Sequence, residues 1–165
     1  MRDEAPEVTQ SRDLAASSEA SLNRLAASAT THCLTGCAIG EVLGLVFGTV
    51  FDWSNFTTIF AAIVLAFFFG YSFTAVPLLR SGLALAAVVP IALAADTISI
   101  TIMEIVDNSI VLVIPGAMDA GLADALFWGS LAFALAVAWV AAFPANRWLI
   151  SQGRGHAVMH EHHTH

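Results

Sequence analysis

The stretch THCLTGCAIGEVLGLVFGTVF, residues 31–51, decides the fold of this chain. A bilayer's hydrocarbon core is about 30 Å thick and needs roughly 20 apolar residues of α-helix, which this stretch supplies. Three further stretches meet the same requirement: residues 56–79, 83–106 and 122–144. Since lipid offers backbone groups no hydrogen-bond partner, each stretch has to be helical. Short connections make neighbouring helices antiparallel, so the sequence predicts an all-α integral membrane four-helix bundle.

The composition also indicates a membrane environment. Hydrophobic residues make up 58% of the 165 residues and charged residues 12%, and the mean hydropathy is +0.77. A soluble domain carries about 25% charged residues. The net charge is −7, and such a chain binds nucleic acid poorly because that affinity comes from neutralising phosphates. We therefore expect the lipid bilayer as a partner and no nucleic acid.

The positions of the arginines predict the orientation. They precede the first stretch, follow the second or follow the fourth: Arg2, Arg12, Arg24, Arg80, Arg147 and Arg154. In an even-span topology all these positions lie on one side, so both termini are predicted to be cytoplasmic. A transmembrane domain over 30–148 then separates two cytoplasmic tails, 1–29 and 149–165. The first tail is either a short surface helix or disordered.

The third hydrophobic stretch allows two registers, because it continues past Asp107 to residue 114. A helix over 83–114 is about 48 Å long at 1.5 Å per residue, and Pro90 is expected to kink it. In the first register Glu41 and Asp96 both lie near the membrane midplane. In the shifted register Asp96 lies level with Cys37, and Met103 with Glu41.

Three acidic side chains fall where lipid should exclude them: Glu41, Asp96 and Glu104. Each costs roughly 2.5–3.5 kcal/mol near the centre of a membrane helix, so such residues face the bundle interior and usually mark a proton or ion site. By helical spacing Asp96, Met103 and Asp107 share one stripe of the third helix, and Glu104 flanks it. We expect this stripe to face the first helix.

The first helix presents two thiols on one face. Cys33 and Cys37 are one turn apart, and Glu41 lies a further turn on. A ridge of small residues overlaps this face: Gly36, Gly40, Gly44 and Gly48. Such ridges let membrane helices approach closely, so the sulfurs are expected to face a helix contact. The same ridge also suits a contact between protomers of a homo-oligomer.

The ligand types indicate a soft metal ion. Thiols with a thioether select Cu(I), whereas carboxylates alone suit hard ions. Cys33 and Cys37 are the predicted principal ligands, completed by Met103, His32 or Asp96. Zinc is less favoured, because the His32 ring starts about 100° around the helix from Cys33 and reaches the same ion with difficulty. Acidic neighbours are predicted to support the ion or relay protons: Glu41, Asp96, Glu104 and Asp107.

The C-terminal tail is rich in imidazoles: His156, His160, His162, His163 and His165. Histidine-rich tracts are typical of metal binding. We expect this tail either to buffer metal and hand it over in the cytoplasm or to be a solvated end without function.

With these residues in view, the chain resembles a family of small bacterial four-helix membrane proteins catalogued as a domain of unknown function. The similarity covers about residues 31–148 and rests on two motifs: His32-Cys33-x-x-Gly36-Cys37, and Asp96 followed by Met103-Glu104 and Asp107. Members occur with or fused to copper-handling proteins. The resemblance therefore implies a copper role for Cys33, Cys37, Met103 and His32, and a place in the bacterial cytoplasmic (inner) membrane.

Three functions remain open at this point. The first is Cu(I) binding within the bundle for copper handling or transport. The second is a small proton- or cation-coupled carrier that uses Glu41, Asp96 and Glu104. The third is a thiol-redox or assembly partner of a larger membrane complex, which is disfavoured because redox pairs more often have Cys-x-x-Cys spacing. No nucleophile–base pair or phosphate loop is visible in the sequence, so an enzyme is not predicted.

Overall fold

A computed structural model describes residues 5–152, which contain α-helices and no strand. The helices are α1 (Ala5–Val50), α2 (Asn55–Arg80), α3 (Leu85–Val113) and α4 (Ala125–Ser151), with a short 3-10 turn (Ala117–Asp119) before α4. They pack in a ring in chain order, α4 closes against α1, and α1 and α3 meet across the middle. The centre of the bundle is therefore formed by the two helices that carry the acids and thiols.

Three helices are long and apolar enough to cross a membrane: Ala16–Val50 of α1, all of α2 and all of α4. Helix α3 is bent by 41° between Leu85–Ala94 and Asp96–Val113, and it supplies a fourth span when both parts count as one. Pro90 precedes the bend by about one turn, and it removes a backbone donor from the helix. The described residues thus form an all-helical protein of the membrane type, with three to four helices that could serve as spans.

Helix α1 is much longer than a bilayer is thick. Its 46 residues span roughly 69 Å at 1.5 Å per residue. From Ala5 the predicted N-terminal tail is therefore helical and runs into the first span without a break. Beyond the bundle this helix stays attached to α4: Arg147 donates to Asn23 Oδ1 at 2.7 Å and pairs with Glu19.

The glycine ridge of α1 packs against α2. Its partners follow one another at one per turn: Gly36 with Gly70, Gly40 with Ala66, Gly44 with Ala62, and Gly48 with Thr58. A Cβ atom added at Gly36 would lie 2.7 Å from the Gly70 backbone nitrogen, closer than side chains approach. The ridge is therefore filled from within the chain, which corrects the expectation that these four glycines join two copies of the protein.

The helices begin and end at residues suited to turns. The Ser54 hydroxyl accepts a hydrogen bond from the Thr57 backbone N–H and so caps the start of α2. Gly82 follows α2 with φ +91° and Gly116 follows α3 with φ +78°, conformations that favour glycine because it has no Cβ. These turns set the antiparallel order of the helices.

Candidate functional site

A buried seam of sulfur-bearing and polar side chains runs between α1 and α3. Its members are Cys33, Cys37 and Glu41 on α1, with Asp96, Ser99, Met103, Glu104 and Asp107 on α3. Cys33, Cys37 and Met103 are only 2%, 1% and 0% exposed and belong to one core cluster. Both cysteines are free thiols. The sulfurs thus face neighbouring helices rather than lipid, as their place beside the glycine ridge led us to expect.

At the end of the seam nearest the N-terminus of α1, a thiol contacts a carboxyl group. The Cys33 Sγ donates to Asp96 Oδ1 at a distance of 3.6 Å. Asp96 also interacts with the Thr74 hydroxyl of α2, and Ser99 lies beside Cys33. Asp96 is therefore held by side chains from two helices, in agreement with the rule that intramembrane acids face the bundle interior and find partners there.

The next level pairs the second thiol with the second acid. The Cys37 thiol lies within interaction range of the Glu104 carboxyl. Asn108, one turn further along α3, donates to Glu104 Oε2 at 3.3 Å and to the Glu104 carbonyl at 2.9 Å. Each thiol of the seam thus has one carboxyl beside it.

At the opposite end of the seam, toward the C-terminus of α1, only carboxyl groups face each other. Glu41 and Asp107 interact with each other across the seam. Both carboxyl oxygens of Glu41 and Oδ1 of Asp107 are buried without a hydrogen-bond partner. Such unpaired buried acceptors are rare and call for an explanation.

The observed pairing makes both predicted registers of α3 wrong. Asp96 lies level with Cys33, where we expected it to be level with Glu41 or with Cys37. Glu41 instead faces Asp107. These residues of α3 lie about one turn closer to the N-terminal end of α1 than even the shifted register placed them, although α3 ends at Val113 much as that register assumed.

Beside Cys33, a side-chain amide of α4 links α1 to α3. Asn146 Nδ2 donates to Thr30 Oγ1 at 2.8 Å and to Ser99 Oγ at 2.9 Å. Sequence reasoning missed this residue because the fourth span was predicted to end at Pro144, whereas α4 continues to Ser151. Asn146 stands between Ala145 and Arg147, so its local sequence gave no signal that it faces the interior.

A cavity of about 460 Å³ opens at the other end of the seam. Its wall is formed by the ends of all four helices and the segment between α3 and α4. Glu41 and Asp107 are the innermost wall residues on α1 and α3, and Asp52 and Asp119 are exposed wall residues on the loops. The sequence did not predict this cavity, which exists only through the arrangement of the helix ends.

The structure does not bring every predicted ligand to the seam. The His32 side chain is exposed, whereas the adjacent Cys33 is buried. The histidines of the tail lie outside the described residues. Within residues 5–152, no three His, Cys, Asp or Glu side chains converge into a ready-made metal site. The seam therefore offers a soft ion two thiols and a thioether, without imidazole.

Comparison with known proteins identifies a family but no characterised relative. The sequence profile of a family described as "Domain of unknown function (DUF4396)" matches residues 22–155 of the chain. Neither the curated proteins nor the solved structures yield a match to the chain.

Proposed function

This chain belongs to the family of the domain of unknown function DUF4396, and we propose that it binds Cu(I) within its helix bundle to handle or transport copper. The observation that carries the proposal is the burial of Cys33, Cys37 and Met103 in one cluster between α1 and α3. Thiolate and thioether ligands together select Cu(I) over the harder divalent ions.

The geometry of the two thiols suits a shared ion. Residues four apart on a helix have Cβ atoms about 5–6 Å apart, so both sulfurs reach one ion without unwinding α1. Met103 is the third ligand that the packing favours, since His32 is exposed. Zinc would need further nitrogen or sulfur ligands to complete its tetrahedron, and this makes it the weaker candidate.

The acids beside the thiols have a role in loading the ion. Thiols must lose their protons to bind metal, so binding releases protons. Asp96 accepts a hydrogen bond from Cys33, and Glu104 lies beside Cys37. Each carboxyl is placed to receive the proton of its thiol and to pass it along the seam.

We further propose that the chain spans a bacterial inner membrane four times, with both termini on the cytoplasmic side. The arginines support this orientation, because in it all of them lie on the cytoplasmic side. Trp53 and Trp148 are exposed at opposite ends of the bundle, as interfacial anchors are. In this orientation the acidic cavity opens to the outside, and the seam leads inward from it.

Copper content of the purified protein tests the proposal. We expect about one copper per chain in protein ending at residue 152, which removes the histidine tail, and loss of that copper in the Cys33→Ser/Cys37→Ser double variant. Met103→Leu is expected to weaken retention, and Met118→Leu, a matched change outside the thiol cluster, to leave it unchanged. Equal copper content in the parent protein and the double variant would contradict the proposal.

A second candidate is a proton- or cation-coupled carrier. The observation that favours it is the series of carboxyls leading inward from the cavity: Asp107 and Glu41, then Glu104, then Asp96. This function predicts that cation flux into liposomes survives removal of both cysteines and fails in Asp96→Asn. Flux that depends on the cysteines would favour copper transport instead.

A further inference from the structure

We infer that the inner end of the cavity is a second cation site, made of oxygen ligands, in which Glu41 and Asp107 hold a hydrated divalent cation of the Mg²⁺ or Mn²⁺ class. This site is separate from the thiol site and does not depend on copper binding. Its two carboxyls come from the parallel helices α1 and α3, so an ion between them would link the outer ends of these helices.

The unpaired carboxyl oxygens carry the inference. Asp107 is only 3% exposed, its Oδ1 has no hydrogen-bond partner, and its side chain forms part of the cavity wall. Both oxygens of Glu41, also on that wall, lack a hydrogen-bond donor, and the group that they face is the Asp107 carboxyl. A buried acceptor without a partner costs about 1–3 kcal/mol, and more when it is charged. A cation at this position offsets that cost and the repulsion between the two carboxylates.

The ligand set indicates a hard divalent ion that keeps part of its water shell. Two carboxylates balance two positive charges, and Mg²⁺ is usually held by one or two carboxylates together with several waters. Further polar wall groups are also oxygen-bearing: Asn108, Ser130 and Thr58. No three His, Cys, Asp or Glu side chains among the described residues are placed to hold a metal ion, so water would supply the other ligands.

The cavity has the size and the charge that such an ion needs. Six waters occupy about 180 Å³ at roughly 30 Å³ each, less than the cavity volume of about 460 Å³. Asp52 and Asp119 on the exposed part of the wall raise the local concentration of cations. A soft ion passing the same way finds its preferred sulfur ligands one turn further in, at Cys37.

Mn²⁺ serves as the probe, followed by electron paramagnetic resonance on the full chain in detergent. We expect a bound Mn²⁺ that is displaced by Mg²⁺ and whose affinity falls at least tenfold in Asp107→Asn and in Glu41→Gln. Glu19→Gln removes the same charge near the start of α1, away from the cavity wall, and it should leave the affinity unchanged. The Cys33→Ser/Cys37→Ser variant should also keep Mn²⁺, which separates this site from the copper proposal.

The inference is overturned if wild-type protein binds no Mn²⁺, or if Asp107→Asn binds it as tightly as wild type. A second measurement needs no variant. Dicyclohexylcarbodiimide modifies carboxyls within membranes, and we expect Mg²⁺ to protect Glu41 and Asp107 from it in wild-type protein. Equal labelling with and without Mg²⁺ would show that this carboxyl pair holds only a shared proton, and it would overturn the inference as well.

Discussion

Helix α1 packs against α2 through its glycines and against α3 through its thiols and acids. These two faces of α1 differ in how well they tolerate substitutions. On the glycine face α1 lies directly against the backbone and the small side chains of α2, so an added Cβ has no room. On the seam face the helices are separated by side chains such as Cys33 and Asp96, which interact with each other. The glycine face fixes where α1 lies, and the seam face uses that position for chemistry.

This difference explains how so small a bundle keeps acids at membrane depth. Each intramembrane acid costs several kcal/mol unless it finds partners. The close contact of α1 with α2 lets Thr74 of α2 reach Asp96 on α3, beside Cys33. The close packing of the α1 glycines against α2 thus supports the polar contacts that α1 makes with α3.

The largest expected effect falls on the glycine face. In Gly40→Ala the new Cβ would collide with the Ala66 backbone and lie 2.9 Å from the Ala62 carbonyl oxygen, so the helices must separate. We expect a loss of about 1–3 kcal/mol, typical of overpacking, in the free energy of unfolding measured by circular dichroism in detergent. Gly129→Ala is the matched control, since a Cβ there meets nothing within 4 Å. Similar losses in both variants would contradict close packing of α1 on α2.

A smaller effect on stability is expected at Asn146, which lies beside the Cys33 end of the seam. Asn146→Ala removes the amide that joins Thr30 to Ser99, and hydrogen bonds between membrane helices contribute about 0.6 kcal/mol on average and at most about 1.7. We therefore expect a loss of about 1 kcal/mol in the same unfolding measurement. Gln152→Ala, an exposed polar residue just past the end of α4, should change stability by less. No difference between the two variants would show that this amide does not stabilise the bundle.

The smallest effect on stability is expected at the thiols themselves. Serine is similar in size to cysteine, and its hydroxyl can still donate to Asp96, so Cys33→Ser should cost less than about 1 kcal/mol. The same variant should nevertheless lose copper affinity. Cys33→Leu, which enlarges the side chain in a filled core, is the contrasting control. A loss in Cys33→Ser as large as that in Gly40→Ala would mean that the seam is shaped by packing alone.

Much of the site followed from the sequence, because helical spacing decides which residues share a face. Cys33, Cys37, Met103 and the acids were predicted to face the interior, and all but Glu41, which is partly buried, are fully buried. The pairing between helices was not predictable in the same way. Spacing along α3 does not reveal how far that helix slides past α1, so Asp107 was not recognised as the partner of Glu41.

Two further features were also beyond the sequence pattern. Asn146 joins the seam only because α4 continues past Pro144, which membrane helices tolerate when neighbours satisfy the freed backbone group. The glycine ridge matched the pattern for a contact between copies as well as for a contact within one chain. Only the packing of α2 decided between the two.

The amino-acid sequence by itself determined that this chain is helical, lies in a membrane and turns its thiols and acids inward, since these properties depend on composition and on a fixed helical period. Tertiary structure alone decided which acid meets which thiol, which helix covers the glycines, and where a cavity opens. Those outcomes depend on how far each helix is displaced along its neighbour. That displacement is set by side-chain packing across the whole interface, which no single stretch of sequence contains.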